Sequence, residues 1–198
     1  MADTTMTIKE IEYALYTSHI FDRNTYIMVP NISYGLLSYE ADFVAMSKSG
    51  YLTEIEIKRS FSDFKADFNK RHLHNDKLVY YFYYCVPEKI VEKVKTYLTE
   101  KFPDKDKCPA LIYYNEYGDA DIVRYFGYVG AFRNKNARKL SVEEQVKFAR
   151  LGCFRYWNTQ KDTAGKLLNK RYEEYVKNSY KHKHSEGIQL EIEFPDED

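Results

Sequence analysis

The segment "KLVYYFYYCV", residues 77–86, most constrains the fold, because after Lys77 it is an unbroken apolar and aromatic run that ends at Pro87. A run of this kind is typical of a central strand that is buried on both faces of a sheet. Its "YYFYY" cluster is better explained by packing inside that sheet than by stacking on nucleic-acid bases. We therefore expect this strand in the core.

The segments before this strand predict the order α-β-β-β-α-β. A one-faced helix is expected over 7–18, and a short strand over "TYIMVP" is expected to stop at Pro30. Ser60 can cap a later helix, with Asp63 at its third position, and that helix is expected to run to about Arg71.

A hairpin is expected between these two helices. The strands "ADFVAMS" (41–47) and "YLTEIEIK" (51–58) are separated by the turn residues "KSG". Gly50 in that turn can adopt a positive φ without steric cost. The hairpin therefore places residues near 42 and 56 on neighbouring strands.

The second half predicts, in order, a helix over 88–101, strands near 110–115 and 120–128, a helix after Ser141, a basic helix over 162–180 and a half-exposed terminal strand in "IQLEIEF". Ser141 and Glu144 have the spacing of a capping box. We divide the chain into a core over 1–130 and a basic helical extension over 131–198, packed on the same domain.

Composition excludes several classes of protein. With 44% apolar and 30% charged residues, the chain is expected to be soluble and globular. It has no apolar run long enough to span a bilayer and no secretory signal pattern, and its three separated cysteines form no disulfide or zinc-ribbon pattern. A reducing, cytoplasmic setting is expected. No glycine-rich phosphate-binding motif is present, so no nucleotide cofactor is expected.

The balanced net charge hides a basic block. Residues 131–184 hold 14 Lys and Arg against 5 Asp and Glu, whereas residues 185–198 hold 6 acidic residues and no basic ones. A basic block of this size suits a polyanionic partner, but an ordinary helical surface rich in Lys and Arg explains it equally well.

Three charged residues alternate along the second strand of the hairpin: Glu54, Glu56 and Lys58. Ile55 and Ile57 fill the positions between them, so the charged residues share one face. That face belongs either to a solvated strand or to a metal-dependent active site. Glu54 is expected to be solvated at the rim of the sheet, with a contact to the site residues as the alternative.

Asp42 favours the active-site alternative. The hairpin can bring Asp42 beside Glu56, and two carboxylates about 4 Å apart repel each other by roughly 4 kcal/mol at an effective dielectric constant of 20. A Mg²⁺ ion between them removes this repulsion and also binds phosphate oxygens. Lys58, on the same face as Glu56, could orient an attacking water or stabilise the transition state.

From Glu40 onward, the sequence "EADFVAMSKSGYLTEIEIKRSFSDFKADFNKRHLHNDKLVYYFYYCVP" resembles the PD-(D/E)XK nuclease superfamily, and within it the MmcB-type DNA-repair proteins. The likeness lies in "EAD" followed by "EIK" on a hairpin within the α-β-β-β-α-β order. Further matching positions are Asp63, Asp67, Lys70 and Asp76. Glu40 departs from the pattern, because those proteins tend to have arginine there. The resemblance covers about residues 7–90.

The resemblance implies an α/β fold with a restriction-endonuclease-like core, which is an α-β-β-β-α-β mixed sheet flanked by helices. The basic helical C-terminal extension has no counterpart in it. By the same resemblance, Asp42 and Glu56 would bind Mg²⁺ or Mn²⁺, the backbone carbonyl of Ile57 would be a third ligand, and Lys58 would be catalytic. Many members add a glutamate from the first helix, and here Glu12 is preferred.

Some nearby residues have two interpretations. Asp63, Asp67 and Lys70 either start and stabilise a helix, or hold Lys58 or an incoming phosphate. His72 and His74 flank a helix end without metal-binding partners at suitable spacing, and they are expected on the surface.

The sequence thus predicts a metal-dependent deoxyribonuclease that acts in DNA repair or in phage or mobile-element DNA metabolism. The residues expected to hold the DNA backbone are Lys147, Arg150, Arg155, Lys166, Lys170 and Arg171. The alternative is a catalytically inactive module on the same fold that binds nucleic acid or another protein. The oligomeric state is not predicted.

Overall fold

The computed structural model describes residues 2–22, 26–32, 35–69, 74, 76–104, 107–123 and 132–185. Its elements are, in chain order, α1 (Ile8–Thr17), β1 (Tyr26–Ile32), β2 (Ala41–Ser47), β3 (Leu52–Ile57), α2 (Phe61–Asp67), β4 (Val79–Pro87), a 3₁₀ turn (Glu88–Ile90), α3 (Val91–Lys101), β5 (Ala110–Tyr114), β6 (Ala120–Ile122), β7 (Phe132–Arg133) and α4 (Val142–Ser185).

The strands form one mixed sheet in the order β1-β2-β3-β4-β5-β6, and β7 also pairs with β4. Strands β1, β2 and β3 form an antiparallel meander, whereas β4 runs parallel to both β3 and β5. The fold is therefore mixed α/β, and the predicted α-β-β-β-α-β order is confirmed. Helix α2 connects the parallel strands β3 and β4.

Local sequence explains most of these boundaries. Thr7 and Glu10 form a capping box at the start of α1, and Ser60 accepts a hydrogen bond from the Asp63 amide at the start of α2. Gly50 has φ +86° in the turn between β2 and β3, as predicted. Pro30 does not end β1; it lies inside this edge strand, where a missing backbone donor is tolerated.

The sheet is buried on both faces. One face packs with Phe64 of α2 and Leu98 of α3, and the other packs with Ile11 and Leu15 of α1. Every residue of β3 is buried, so this strand lies at the centre of the core. The aromatic strand β4 lies beside it, which confirms its central position.

Three boundary predictions differ from the structure. Helix α2 ends at Asp67, short of Arg71, and residues 70–73 lie outside the described part. Strand β6 ends at Ile122, and the rest of its predicted span lies mostly among residues 124–131, which are not described. The two helices predicted after Ser141 are one continuous helix, because neither Asp162 nor Gly165 interrupts it.

Contacts divide the chain into two units, Met1–Cys153 and Phe154–Asp198. The first unit continues past residue 130, since β7 pairs with β4 and both Leu140 and Phe148 belong to its core. In the second unit, no side chain described between 154 and 178 is buried. The predicted terminal strand lies among residues 186–198, outside the described part. None of the described helices combines the length and apolar character needed to cross a bilayer.

Candidate functional site

The charged face of β3 is inside the protein. Glu54 is 0% exposed, and Glu56 and Lys58 are each 3% exposed. The prediction of a solvated Glu54 is therefore wrong. Its partners across the sheet are Val44 and Phe82, so apolar side chains flank it on both sides. Charges in such a place are stable only when they are paired and hydrogen-bonded.

The Lys58 ammonium is held between two carboxylates. Its Nζ lies 2.8 Å from Glu56 Oε1 and 2.6 Å from Asp67 Oδ1. Glu56 lies in β3 and Lys58 is the first residue after this strand, whereas Asp67 is the last residue of α2. The spacing predicted from the sequence thus produces an ion pair, with a second carboxylate added by the helix that follows.

Asp67 joins three other side chains of this cluster, Lys58, His74 and Tyr84. Besides Lys58 at Oδ1, its Oδ2 lies 2.7 Å from His74 Nε2 and accepts a hydrogen bond from the Tyr84 hydroxyl at 2.9 Å. Asp67 is 1% exposed. Of its two predicted roles, the structure favours holding Lys58 over a purely local role in the helix.

His74 is buried, at 6% exposure, so the prediction that it lies on the surface is wrong. Its ring stacks on Phe82, with centroids 4.5 Å apart, and Nδ1 lies 2.6 Å from Glu54 Oε1. Its backbone has φ +50°, an uncommon conformation for a residue other than glycine. The side-chain contacts thus hold His74 in place despite this backbone. His72 lies outside the described residues.

Both ring nitrogens of His74 face carboxylates. When both carboxylates are ionised they only accept hydrogen bonds, so the ring then donates from both nitrogens as an imidazolium. Burial by itself lowers the pKa of His74, but its hydrogen bonds to Asp67 and Glu54 outweigh burial and raise the pKa to about 9. Burial raises the pKa of Glu54, and its hydrogen bonds from His74 and Tyr39 offset this in part.

A segment before β2 closes the cluster. The Tyr39 hydroxyl donates a hydrogen bond to Glu54 Oε2, and the Tyr39 ring meets His74 edge to face. The neighbouring Ser38 is tied to Asp76 through its amide (3.2 Å) and its hydroxyl (3.0 Å). Asp76 follows His74 by two residues, so this contact holds together the two segments that carry Tyr39 and His74.

Asp42 lies next to this cluster. The paired register of β2 and β3 ends at Phe43 and Ile55, one residue away from Asp42 and Glu56. Its Oδ2 accepts a hydrogen bond from the Ile57 amide at 2.8 Å. Asp42 and the Ile57 backbone are thus in contact.

Glu12 and Asp63 have other local partners. Glu12 accepts a hydrogen bond from Asn31 at 3.3 Å, and its helix packs on the sheet face opposite to Glu54 and Glu56. Asp63 is exposed and accepts from the Arg59 amide at 3.2 Å, which is a role at the helix start. Glu12 is thus placed with α1 on the other side of the sheet, and Asp63 lies in the first turn of α2.

The six residues predicted to hold DNA all lie on α4. All are exposed except Arg155, which is half-buried. The Lys147 ammonium donates to the backbone carbonyl of Gly35. Arg155, Lys166 and Lys170 lie within about 60° of one another around the helix axis, so they form a basic stripe.

One group of ligand-type side chains comes together among the described residues: Glu54, Glu56 and His74 each offer one ligand atom, all within 4.8 Å of one another.

Sequence analysis missed Tyr39, Tyr84 and His74 as members of the buried polar cluster. No local pattern marks them, because each comes from a different segment. The one available signal was the pair of acidic residues on β3. If that face of the strand is covered, their carboxylates require buried hydrogen-bond donors from other segments.

Neither a family model nor a curated protein sequence matches the chain. A solved structure, "SPO1766 protein of unknown function from Silicibacter pomeroyi", is similar to it, with a TM-score of 0.51 and 14% identity. The similarity covers 80% of this chain and 92% of that chain. At this identity the likeness concerns the fold alone.

Proposed function

We propose that this protein is a metal-dependent deoxyribonuclease with a restriction-endonuclease-like core, acting in DNA repair or in phage or mobile-element DNA metabolism. The observation that carries the proposal is the buried ion pair of Glu56 and Lys58 at the end of β3, with Asp42 of β2 bonded to the amide of Ile57, the residue between them. The antiparallel β1-β2-β3 meander, joined through α2 to the parallel strand β4, supports the same core.

The donors present fit a hard cation. Asp42, Glu56 and the Ile57 carbonyl offer only oxygen ligands, which suit Mg²⁺ or Mn²⁺. Bound there, such an ion would polarise the scissile phosphate and acidify a water molecule. The Asp42 carboxylate accepts a hydrogen bond from the Ile57 amide at 2.8 Å, which supports a place for it at the end of β3.

Lys58 and Asp67 supply the remaining chemistry. The Lys58 ammonium would stabilise the negative charge that develops on the phosphate, and Asp67 would position it from the other side. The basic stripe on α4 would bind the phosphate backbone, which carries no sequence information by itself. Affinity for DNA should therefore fall steeply as the salt concentration rises.

A second candidate is favoured by burial. Glu56 and Lys58 are 3% exposed, and the Lys58 ammonium is already bonded to two carboxylates. A module that binds nucleic acid or protein without cleaving DNA needs no access to these groups. Only cleavage separates this candidate from the nuclease.

The test is a gel assay of linear and circular, single- and double-stranded DNA with Mg²⁺, Mn²⁺ or EDTA. Wild type is compared with Lys58→Met, with Asp42→Asn and with Lys65→Met, which removes an exposed lysine from α2. We expect metal-dependent cleavage by wild type and Lys65→Met and none by the other two. Thermal melting checks that each variant is folded. If Lys58→Met does not fold, Asp42→Asn tests the site in its place.

Metal-dependent cleavage that persists in folded Lys58→Met and Asp42→Asn would reject the proposed site. DNA that is retarded but never cut, equally by all four proteins, would support the binding module.

A further inference from the structure

Glu54 and His74 have no part in the proposed hydrolysis, although both are buried beside Glu56. Glu54 Oε1 lies 2.6 Å from His74 Nδ1, and Glu56 Oε2 lies 4.0 Å from the same nitrogen. Glu54 is 0% exposed, His74 is 6% exposed and Glu56 is 3% exposed. An imidazole and two carboxylates that converge in the interior form a donor set for a metal ion of intermediate softness.

Each of the three side chains is oriented by a separate partner on its other polar atom. Tyr39 donates to Glu54 Oε2, and Lys58 donates to Glu56 Oε1 at 2.8 Å. Asp67 accepts from His74 Nε2 at 2.7 Å, which directs Nδ1 towards the two glutamates. A carboxylate on the far nitrogen of a histidine is the contact that usually orients a metal-binding imidazole.

The composition of the cluster also favours an ion. Three side chains with carboxyl groups, Glu54, Glu56 and Asp67, meet one lysine, Lys58, and one imidazole, His74. The acidic groups outnumber the basic ones, and a divalent cation among them offsets this excess in the interior.

We infer that Glu54, Glu56 and His74 form a binding site for a divalent first-row transition-metal ion such as Zn²⁺. The ion accepts the lone pair of Nδ1 and one oxygen from each glutamate, and the displaced proton leaves to solvent. Ligand atoms of a four-coordinate zinc ion lie about 3.3 Å apart, so the Glu54–His74 pair has to open by roughly 0.7 Å. This site includes a nitrogen donor and does not use Asp42, and it does not depend on DNA cleavage.

Cobalt(II) is a suitable probe, because it replaces zinc and absorbs visible light when it is held by protein ligands. The full chain is titrated with Co²⁺ at neutral pH, with Ala at His182 and His184 in every protein to remove the "KHKH" run as a stray site. The proteins compared are this background and its His74→Gln, Glu54→Gln, Asp67→Asn and Asp42→Asn variants.

We expect a saturable visible spectrum that Zn²⁺ abolishes. His74→Gln and Glu54→Gln should lose it at the Co²⁺ concentration that saturates the background protein. Asp67→Asn should weaken binding by about 10- to 100-fold, because it removes the group that orients the imidazole. Asp42→Asn should bind Co²⁺ as the background protein does.

Co²⁺ binding that is absent from the background protein, or that survives in folded His74→Gln, would overturn the inference. If that variant does not fold, proton NMR of the cobalt-loaded background protein decides instead. A paramagnetically shifted, exchangeable imidazole N–H is expected from His74 Nε2, and its absence in the loaded protein would refute histidine coordination.

The two proposals fail in different ways. Mg²⁺-dependent cleavage that needs Asp42, in a protein whose Co²⁺ binding does not need His74, would keep the nuclease and reject this site. Co²⁺ binding that needs His74, in a protein that never cuts DNA, would support this site and reject the nuclease.

Discussion

The two units place charged and apolar side chains in opposite ways. In the first unit, five ionisable residues are buried around β3, and each is paired: Glu54, Glu56, Lys58, Asp67 and His74. In the second unit, large apolar side chains of α4 are exposed, and they include Phe154, Trp157, Leu168, Tyr172 and Tyr175. Both placements are uncommon for soluble proteins.

The difference indicates which side chains contribute to stability and which are available for binding. A buried charged cluster is strongly coupled, so the loss of one member leaves its partners unpaired in the interior. Exposed apolar residues on a helix contribute little to folding of the free chain. The five exposed residues lie within about 60° around the helix axis, nearly opposite the basic stripe of Arg155, Lys166 and Lys170. This helix is therefore two-sided, with one face suited to a polyanion.

The largest effect is expected at Asp67. Asp67→Ala removes an acceptor shared by Lys58, His74 and Tyr84, and should lower the free energy of unfolding by about 3–5 kcal/mol. Urea denaturation monitored by circular dichroism measures it. Asp63→Ala is the matched control in the same helix; it removes one exposed hydrogen bond and should cost no more than about 1 kcal/mol. Equal losses in the two variants would contradict a coupled cluster.

The pH dependence of stability is the next largest effect. The folded protein raises the pKa of His74 from 6.5 to about 9. Protonation therefore stabilises the fold fully below about pH 6.5, and this contribution, on the order of 3 kcal/mol, is lost as the pH rises through 9. The raised pKa of Glu54 acts in the same direction.

Urea denaturation at pH values from 6 to 9.5 measures this slope. His74→Gln should flatten it, whereas replacement of exposed His19 by Gln should leave it unchanged. A wild-type protein that is equally stable at both ends of the range would show that His74 is not an imidazolium in the fold.

An exposed ion pair gives a smaller effect at acid pH. Glu144 accepts two hydrogen bonds of 2.7 Å from Arg138 and one of 2.8 Å from the Ser141 amide, and the pair with Arg138 lowers the pKa of Glu144 to about 2. Its contribution is present above pH 4.5 and is lost as the pH falls through 2. Because the pair is open to solvent, Glu144→Gln should change acid denaturation by much less than His74→Gln changes the alkaline slope.

The smallest effect is expected on the exposed side of α4. Phe154→Ala should change the free energy of unfolding of the first unit by less than about 0.5 kcal/mol. Phe148→Ala, six residues earlier in the same helix, should cost about 3–5 kcal/mol, because Phe148 is 0% exposed. Differential scanning calorimetry compares them, and a large loss in Phe154→Ala would mean that this side chain is covered in solution.

The sequence predicted the framework of the first unit because local signals agree there. Gly50 sets the hairpin, Ser60 starts α2, and the apolar run of β4 marks the centre of the sheet. The continuity of α4 was not predictable from composition, because Asp162 and Gly165 usually favour a helix end but are tolerated here within the helix.

Prediction of the site was limited by distance along the chain. Glu56 and Lys58 are two residues apart, so their common face followed from strand geometry. The burial of Glu54 depends on Tyr39 and His74, which lie 15 and 20 residues away in segments without a pattern of their own. Alternation along a strand predicts which residues share a face, but only the neighbouring segments decide whether that face is exposed to solvent.

The spread of the cluster along the chain has a consequence for folding kinetics. The cluster combines residues of β3 with residues that follow β3 in the chain. The parallel contact of β3 with β4 forms late because it closes a long loop. Until then Glu54 and Lys58 cannot leave water with all their partners, because His74 and Asp67 lie in the segment that joins β3 to β4. Docking of β4 onto β3 and neutralisation of the charges should therefore occur together in one late step. We expect the refolding rate to slow as the pH rises through 9, which stopped-flow measurements would show.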